Sequence, residues 1–323
     1  MLSFILRRLL QSIAVLLSVA FLAFVLFQFV GDPVSSMVGQ DASAEVRAQL
    51  RADLGLDRSV PVQFLSFVGN AVRGEFGLSL KQGRSVSILL AERFPATLEL
   101  ALVAAVLALV LGIPLGVYTA LRREGALSRG VLALSLIGVS MPTFLLGILL
   151  IWLFSVTWAW LPSFGRGETE MWGPWSTGLT TADGWRHIVL PAVTLAVYQV
   201  TLILRLVRAE MLEVLRSDFI KFAKARGLTN RTVYFGHALK NSLVPVITIT
   251  ALQLGGLIAF SLVTETVFQW PGMGLLFIQA VQSSDIPVMA AYLCVIALVF
   301  VVVNLVADLL YVAVDPRLRM GAR

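Results

Sequence analysis

The sequence contains few charged residues and a single cysteine, and both shortages exclude classes of protein. Only 14% of its 323 residues are Asp, Glu, Lys or Arg, whereas 58% are hydrophobic. A soluble domain of this length cannot bury that much apolar surface. Cys294 has no second cysteine in the chain to pair with, which excludes an internal disulfide framework. We therefore expect lipid to be part of the solvent of this chain.

The sequence also lacks the motifs of common enzymes. It contains no His-Glu-x-x-His, Gly-x-Ser-x-Gly or Cys-x-x-Cys pattern, and no Gly-Lys pair, which a phosphate-binding P-loop requires. His187 and His237 are predicted on opposite sides of a membrane, so they cannot share a metal ion. We therefore expect no catalytic residue, metal or cofactor in this chain, and any ATP and Mg²⁺ to be bound by partner subunits.

What the sequence does contain is apolar runs of the length that a membrane helix needs, about 20 residues. Six such runs are predicted as spans: 9–30, 96–120, 131–154, 187–207, 243–264 and 287–314. The first is too long for the apolar region of a signal peptide and has no small-x-small cleavage site after it, so we interpret it as an uncleaved helix. The sequence thus predicts an all-α polytopic membrane protein, with residues 1–323 as one transmembrane domain.

The positive charges indicate the orientation. The net charge is +6, but the Lys and Arg residues form short blocks between apolar runs rather than a nucleic-acid-binding stripe. They concentrate after the second and fourth runs, whereas the segment after the fifth has none. By the positive-inside rule, the basic segments and both termini are cytoplasmic. We therefore predict a multi-pass protein of a bacterial plasma membrane, with no nucleic-acid partner.

The segment 31–93 is predicted to be a long external loop with two short helices. Asp41 or Ser43 can cap the first helix and Gly55 can end it. The second carries an apolar stripe that begins at Val60 and includes Phe64. This stripe suits either the membrane surface or a cover over the helix bundle.

The segment 208–242 is the basic cytoplasmic loop after the fourth span, and it contains a predicted short helix. Ser217 is placed to cap this helix, and Asp218 complements the positive end of its dipole. Gly227 is placed to end it in the left-handed conformation. The helix is thus defined at both ends by its own residues.

The faces of this short helix indicate a contact surface. Phe219, Phe222 and Ala223 are spaced to share one face, while basic residues such as Arg226 point elsewhere. An apolar face on a basic helix suits insertion into a groove of another protein. It equally suits a helix that rests on anionic lipid, and the pattern alone does not decide between them.

Four further features have two interpretations each. Gly112 and Gly116 form a Gly-x-x-x-Gly motif that suits packing within the chain better than a dimer contact. Pro142, like Pro114, is expected to kink its helix, and such a kink suits either gating or the fit of the helix in the bundle. Asp308 and Glu99 are acids near the ends of spans, and snorkelling or a hydrogen bond between helices is favoured over proton relay.

At these residues the sequence resembles the transmembrane subunits of binding-protein-dependent ABC importers, in the dipeptide and oligopeptide permease branch. The resemblance extends over nearly the whole chain. It rests on the opening Leu-Arg-Arg-Leu and on the blocks 53–57 with Pro61, 74–79, 94–100, 216–228, 237–241, 265–274 and 315–319. The long first external loop resembles that of the first of two non-identical permeases in peptide systems.

The resemblance implies a function and a set of partners. The fold implied is the type I importer transmembrane domain with about six spans. The partners implied are a second, non-identical permease, two ATP-binding subunits and an external substrate-binding protein. The short helix is implied to be the coupling helix that docks on the ATPase, with Ser217, Asp218, Phe219, Phe222, Ala223, Arg226 and Gly227 as its residues. Lys221, Phe222 and the block 237–240 depart from the general motif of the family in the manner of the peptide branch.

Two other functions remain as alternatives. An ATP-independent secondary transporter or channel would usually show inverted repeats, which the sequence does not contain. An intramembrane enzyme would need a nucleophile and a base on one side of the membrane. Within the importer class, dipeptides or oligopeptides are the expected substrates, and nickel chelates, glutathione and opines are alternatives.

Overall fold

The structure is a computed structural model that describes residues 2–29, 43–53 and 57–314. The helices are α1 Leu2–Phe29, α2 Ala44–Asp53, α3 Val60–Arg73, α4 Val86–Leu121, α5 Ala126–Ser140, α6 Thr143–Leu150, α7 Ala182–Val214, α8 Asp218–Ala225, α9 Leu239–Val267, α10 Met273–Gln282 and α11 Ile286–Val314. Two π-helical segments, Ile151–Thr157 and Thr232–Ala238, follow α6 and precede α9. An antiparallel hairpin pairs β1 Glu170–Trp172 with β2 Trp175–Thr177.

Five helices in the described part of the chain are long and apolar enough to cross a membrane: α1, α4, α7, α9 and α11. They coincide with five of the six predicted spans and extend beyond most of them. For example, α7 begins at Ala182 rather than at 187, because the Thr181 hydroxyl accepts a hydrogen bond from the Gly184 N–H and caps it. The first residues of α7 include Asp183 and Arg186, so a search for apolar runs does not detect its beginning.

The predicted third span, 131–154, is bent at Pro142, as expected, but the bend is sharp enough to divide it into two helices. The helix α5 ends at Ser140, and α6 with its π-helical extension continues from Thr143 at a bend of 111°. Pro142 lies at the break, where its ring leaves no N–H to continue the helical hydrogen bonds. The bent pair is a sixth span if it is counted as one crossing.

The helices α4 and α7 form the close-packed centre of the bundle. Gly112 and Gly116 of α4 face Ile203 and Val207 of α7, and a Cβ on Gly116 would lie 2.6 Å from the Cβ of Val207. Only glycine allows the two backbones to approach this closely. The Gly-x-x-x-Gly motif therefore packs within the chain, as predicted.

The two ends of the described chain meet on one side of the bundle. Arg8 of α1 forms an ion pair with Asp308 of α11 at 3.0 Å, which confirms a contact between helices for this acid. Further along α1, Phe21 and Phe24 pack edge-on against Phe64 of α3. The apolar stripe of the external segment therefore covers α1 rather than lying free.

Ser43 accepts a hydrogen bond from Val46 at the start of α2, whereas Asp41 and Gly55 lie outside the described residues.

A buried carboxylate fastens the outer end of α9 to α4. Glu265 accepts hydrogen bonds from the hydroxyls of Thr97 and Ser261 at 2.7 and 3.0 Å, and from the Leu275 N–H at 3.0 Å. The Trp270 indole donates to the Ala96 carbonyl at 2.9 Å. The turn between α9 and α10 is therefore held against α4. This turn lies in the block 265–274, for which the sequence indicated a family resemblance but no structural role.

Candidate functional site

The candidate site is the segment around α8, for which the positive-inside rule predicts a cytoplasmic location. The helix α8 spans Asp218–Ala225, within the predicted limits. The Gly227 backbone has φ +79°, the left-handed conformation expected at the end of this helix. The Leu228 N–H donates to the Ala223 carbonyl at 3.4 Å and the Gly227 N–H to the Lys224 carbonyl at 2.9 Å. These two bonds form a Schellman motif, which ends the helix sharply.

The start of α8 differs from the prediction in its chemistry. Ser217 occupies the N-cap position, but its hydroxyl donates back to the Val214 carbonyl at 2.7 Å and caps no N–H of the helix. The Ser217 backbone carbonyl instead accepts from the N–H groups of Ile220 and Lys221, each at 3.2 Å. The predicted side-chain cap is therefore wrong. Asp218 lies in the first turn, as the dipole argument required.

One face of α8 is seated in the bundle. Ile220 is fully buried and Ala223 is 6% exposed, and both belong to the core that contains Met211 of α7. Val233 and Ala238, from the following π-helical segment, complete this seat and are also fully buried. Ala223 therefore points inward, and the prediction that it shares the outward face of Phe219 and Phe222 is wrong.

Ile220 is the residue that the sequence reasoning missed. The spacing of Ile220 and Ala223, i and i+3, defines an apolar face of its own. The helix α8 therefore has apolar residues on two sides. The smaller side chains of Ile220 and Ala223 face the interior, and the aromatic side chains of Phe219 and Phe222 remain outside.

The outward face of α8 presents two phenylalanines to solvent. Phe219 is 44% exposed and Phe222 is 65% exposed. The Phe219 ring packs edge-on against His237 at 5.9 Å, and the Arg226 guanidinium lies 6.0 Å from the centre of the Phe222 ring. Lys221 forms an exposed ion pair with Asp218 at 2.8 Å. The two aromatic rings are thus held in place by neighbours although no protein core covers them.

The segment is also fastened to the neighbouring helix. Arg208, near the end of α7, donates to the Thr119 carbonyl at the end of α4, at 2.6 Å. This bond satisfies one of the carbonyls that the end of a helix leaves without an intrahelical partner. The bond therefore joins the ends of the two central helices on the side where α8 lies.

The composition of this surface can be compared with that of known kinds of site. Among the described residues no group of three His, Cys, Asp or Glu side chains could hold a metal ion. Exposed aromatic rings beside cationic side chains match the composition of sites where protein partners dock. The outward face of α8 is therefore the candidate docking surface.

Comparisons with known proteins identify the family of this chain. Residues 112–320 match the family described as binding-protein-dependent transport system inner membrane component, and residues 1–101 match its N-terminal companion model. Together the two matches cover nearly the whole chain. The chain belongs to this family of importer membrane subunits, and it is a multi-pass inner-membrane protein.

Curated relatives resemble the chain over 99% of its length and 99% of theirs. It is 38% identical to a dipeptide transport system permease of Escherichia coli and 39% identical to a di/tripeptide transport system permease of Pseudomonas aeruginosa. It is 37% identical to a glutathione transport system permease of Escherichia coli. These relatives are permease subunits, which work with other subunits of ABC transporters.

Solved structures resemble the fold. Two crystal forms of the inward-facing MetNI methionine ABC transporter match with TM-scores of 0.55 and 0.56 at 22% identity, over 70% of this chain and 96% of the matched chain. At this identity the likeness establishes the architecture alone. The chain therefore has the type I importer transmembrane fold that the sequence predicted.

Proposed function

We propose that this chain forms half of the transmembrane pathway of an ATP-driven importer of peptides. The observation that carries the proposal is α8, a short helix seated by Ile220 and Ala223 that exposes Phe219 and Phe222 on the basic side of the bundle. Dipeptide, di/tripeptide and glutathione permeases are all relatives of the chain, and the substrates in their names share peptide chemistry. That shared chemistry supports small peptides as the substrate class.

The proposed assembly contains four kinds of partner. A second, non-identical permease supplies the other half of the pathway, and an external binding protein delivers the peptide. Two ATP-binding subunits bind ATP and Mg²⁺ on the cytoplasmic side and supply the hydrolysis, so this chain is not itself an enzyme.

In this mechanism α8 couples the ATPase to the pathway. Phe219 and Phe222 insert into an apolar groove of an ATP-binding subunit, where burying each ring contributes roughly 1.5–3 kcal/mol. Ser217, Asp218 and Gly227 define the ends of the helix, and Arg226 supports the Phe222 ring. Closure of the ATPases on ATP then moves α8, and Ile220 with Ala223 transmits the movement to α4 and α7.

The substitution Phe222→Asp tests the docking. It places a carboxylate in the groove without a partner, which is costly, so ATP hydrolysis and peptide uptake should become uncoupled while membrane insertion is unchanged. Phe222→Leu keeps an apolar side chain and should retain most of the transport. Lys224→Asp alters the charge of the same helix outside the aromatic face and serves as the matched control. Full peptide uptake by Phe222→Asp would contradict the docking role.

Co-purification tests the assembly itself. The tagged chain is isolated from its native membrane in mild detergent, its companions are identified by mass spectrometry, and ATP hydrolysis is measured with added binding protein. We expect a second permease and ATP-binding subunits, with hydrolysis stimulated by the loaded binding protein. A chain that is isolated alone and takes up peptide without ATP would instead support a secondary transporter.

A further inference from the structure

The break between α5 and α6 leaves a set of backbone polar groups without partners inside the membrane. Met141 donates its N–H to Ile137 and Leu146 donates to Pro142, and these bonds close the two helix ends. Pro142 has no N–H, so the Gly138 carbonyl has no helical donor. Within the described residues, other unpartnered groups flank the break: the N–H groups of Thr143, Phe144 and Leu145 and the carbonyls of Gly138, Val139, Ser140 and Met141.

This break lies at membrane depth. A Cβ on Gly138, at the end of α5, would lie 2.7 Å from Val197, which is midway along the membrane-spanning α7. One turn earlier, the Thr201 hydroxyl of α7 lies 3.3 Å from the Ser135 carbonyl and 3.1 Å from the Val197 carbonyl of its own helix, so its proton is shared between the two. The end of α5 is therefore fixed beside the middle of a span and not at a membrane surface.

Two of the side chains at the break are also polar. Ser140 is exposed and Thr143 is half-buried, and neither hydroxyl has a hydrogen-bond partner within the described residues. Polar groups at the break are thus unsatisfied on both its backbone and its side chains.

Such groups cannot face lipid. Each unsatisfied backbone group costs several kcal/mol in the hydrocarbon region, so irregular backbone at this depth occurs only against protein or beside a water-filled cavity. The part of α5 and α6 that is open in the isolated chain must therefore be covered by a partner or face a pathway for water and substrate.

We propose that this break lines the translocation pathway and forms hydrogen bonds with the main chain of the passing peptide. The inference rests on the proposed function and assigns a site within it. Carbonyls at the end of α5 accept from peptide N–H groups, and N–H groups at the start of α6 donate to peptide carbonyls. Ser140 and Thr143 add hydroxyls that do both. A site of this composition binds any small peptide, because every peptide presents the same alternating donors and acceptors.

Cysteine labelling in the assembled transporter tests the site. In a Cys294→Ala background, Ser140→Cys and Thr143→Cys are introduced separately, and Val106→Cys, 58% exposed on the unbroken α4, is the control. Each variant is treated in membranes with a charged, membrane-impermeant thiol reagent, with and without trapped ATP. Dialanine or glutathione, whichever stimulates ATP hydrolysis by the wild-type complex, is supplied with the binding protein as the probe.

We expect the two cysteines at the break to react at least about tenfold faster than Val106→Cys in one nucleotide state, because the charged reagent does not enter hydrocarbon. The probe peptide should slow this reaction several-fold. Reaction at the control rate in both states would overturn the proposal by indicating that the partner permease covers the break. Fast reaction that neither peptide slows would also overturn it. If neither peptide stimulates hydrolysis by the wild type, the proposed function fails, whatever the labelling shows.

Discussion

The buried ion pair between Glu99 and Arg166 offers the sharpest test of how the external face is held together. Glu99 lies on α4, and Arg166 lies in the loop before the β-hairpin. Their side chains are 4% and 7% exposed, and the charged atoms are 2.6 Å apart. The Trp175 indole donates to Glu99 at 3.2 Å, and Arg166 donates to the Ser176 carbonyl at 2.7 Å. The pair therefore joins the hairpin to the bundle.

Removing one charge of this pair should be costly. In Glu99→Gln the guanidinium of Arg166 stays buried without a compensating charge, which costs about 3–5 kcal/mol. Arg166→Met strands the carboxylate in the same way. In the double variant both charges are absent, so its stability should lie closer to the wild type than that of either single variant. The coupling energy should be about 1–3 kcal/mol.

The assay is the apparent Tm of the detergent-solubilised chain, followed by the loss of its monodisperse peak in size-exclusion chromatography. The control is Glu92→Gln, which breaks the exposed Arg84–Glu92 pair on the same helix. Solvent screens that pair, so the Tm should remain close to the wild type. A Tm for Glu99→Gln as high as that for Glu92→Gln would refute the reasoning. Additive losses in the double variant would refute it as well.

Two further predictions concern packing. Gly272→Ala should lower the Tm by several degrees, because its Cβ would meet the buried Glu265 carboxylate, whereas Gly69→Ala, with open space around it, should not. Ile220→Ala removes a fully buried side chain and should cost roughly 2–5 kcal/mol of stability, whereas Phe222→Ala should leave the Tm unchanged and reduce transport. The first comparison is read from the Tm and the second from Tm and uptake together. A Gly272→Ala variant as stable as wild type, or equal Tm losses at Ile220 and Phe222, would contradict these assignments.

Local features were predictable from the sequence because they depend on neighbouring residues. Apolar runs of sufficient length identified five helices at their observed places, since the bilayer imposes that length. Gly227 was identified as the end of α8 because its position after an amphipathic turn needs φ > 0. Pro142 was expected to kink its helix, but the size of the bend was not, because the hydropathy of 131–154 does not record lost backbone hydrogen bonds.

Contacts between distant residues were not predictable. Glu99 was assigned only a hydrogen bond or snorkelling, since nothing in the sequence pairs it with Arg166, 67 positions later. Ala223 was placed on the wrong face because a helix of two turns with apolar residues on two sides has no single apolar stripe. Which side is buried depends on Met211 and Val233, and only the fold brings these residues to α8.

The same contacts indicate how movement at the cytoplasmic surface reaches the break in the proposed importer. Ile220 seats α8 in the core that contains Met211 of α7, and the bond from Arg208 to Thr119 ties α7 to α4. Those helices have little room to slide, because Gly116 lies against Val207. A displacement of α8 therefore moves α4 and α7 together. The end of α5 is bonded to α7 through Thr201, so the movement reaches the break without any change within a helix. In this mechanism α4 and α7 move as one rigid pair, and only the polar groups at the break change their neighbours. The part of the pathway that rearranges is then the break, where the backbone groups have no partners.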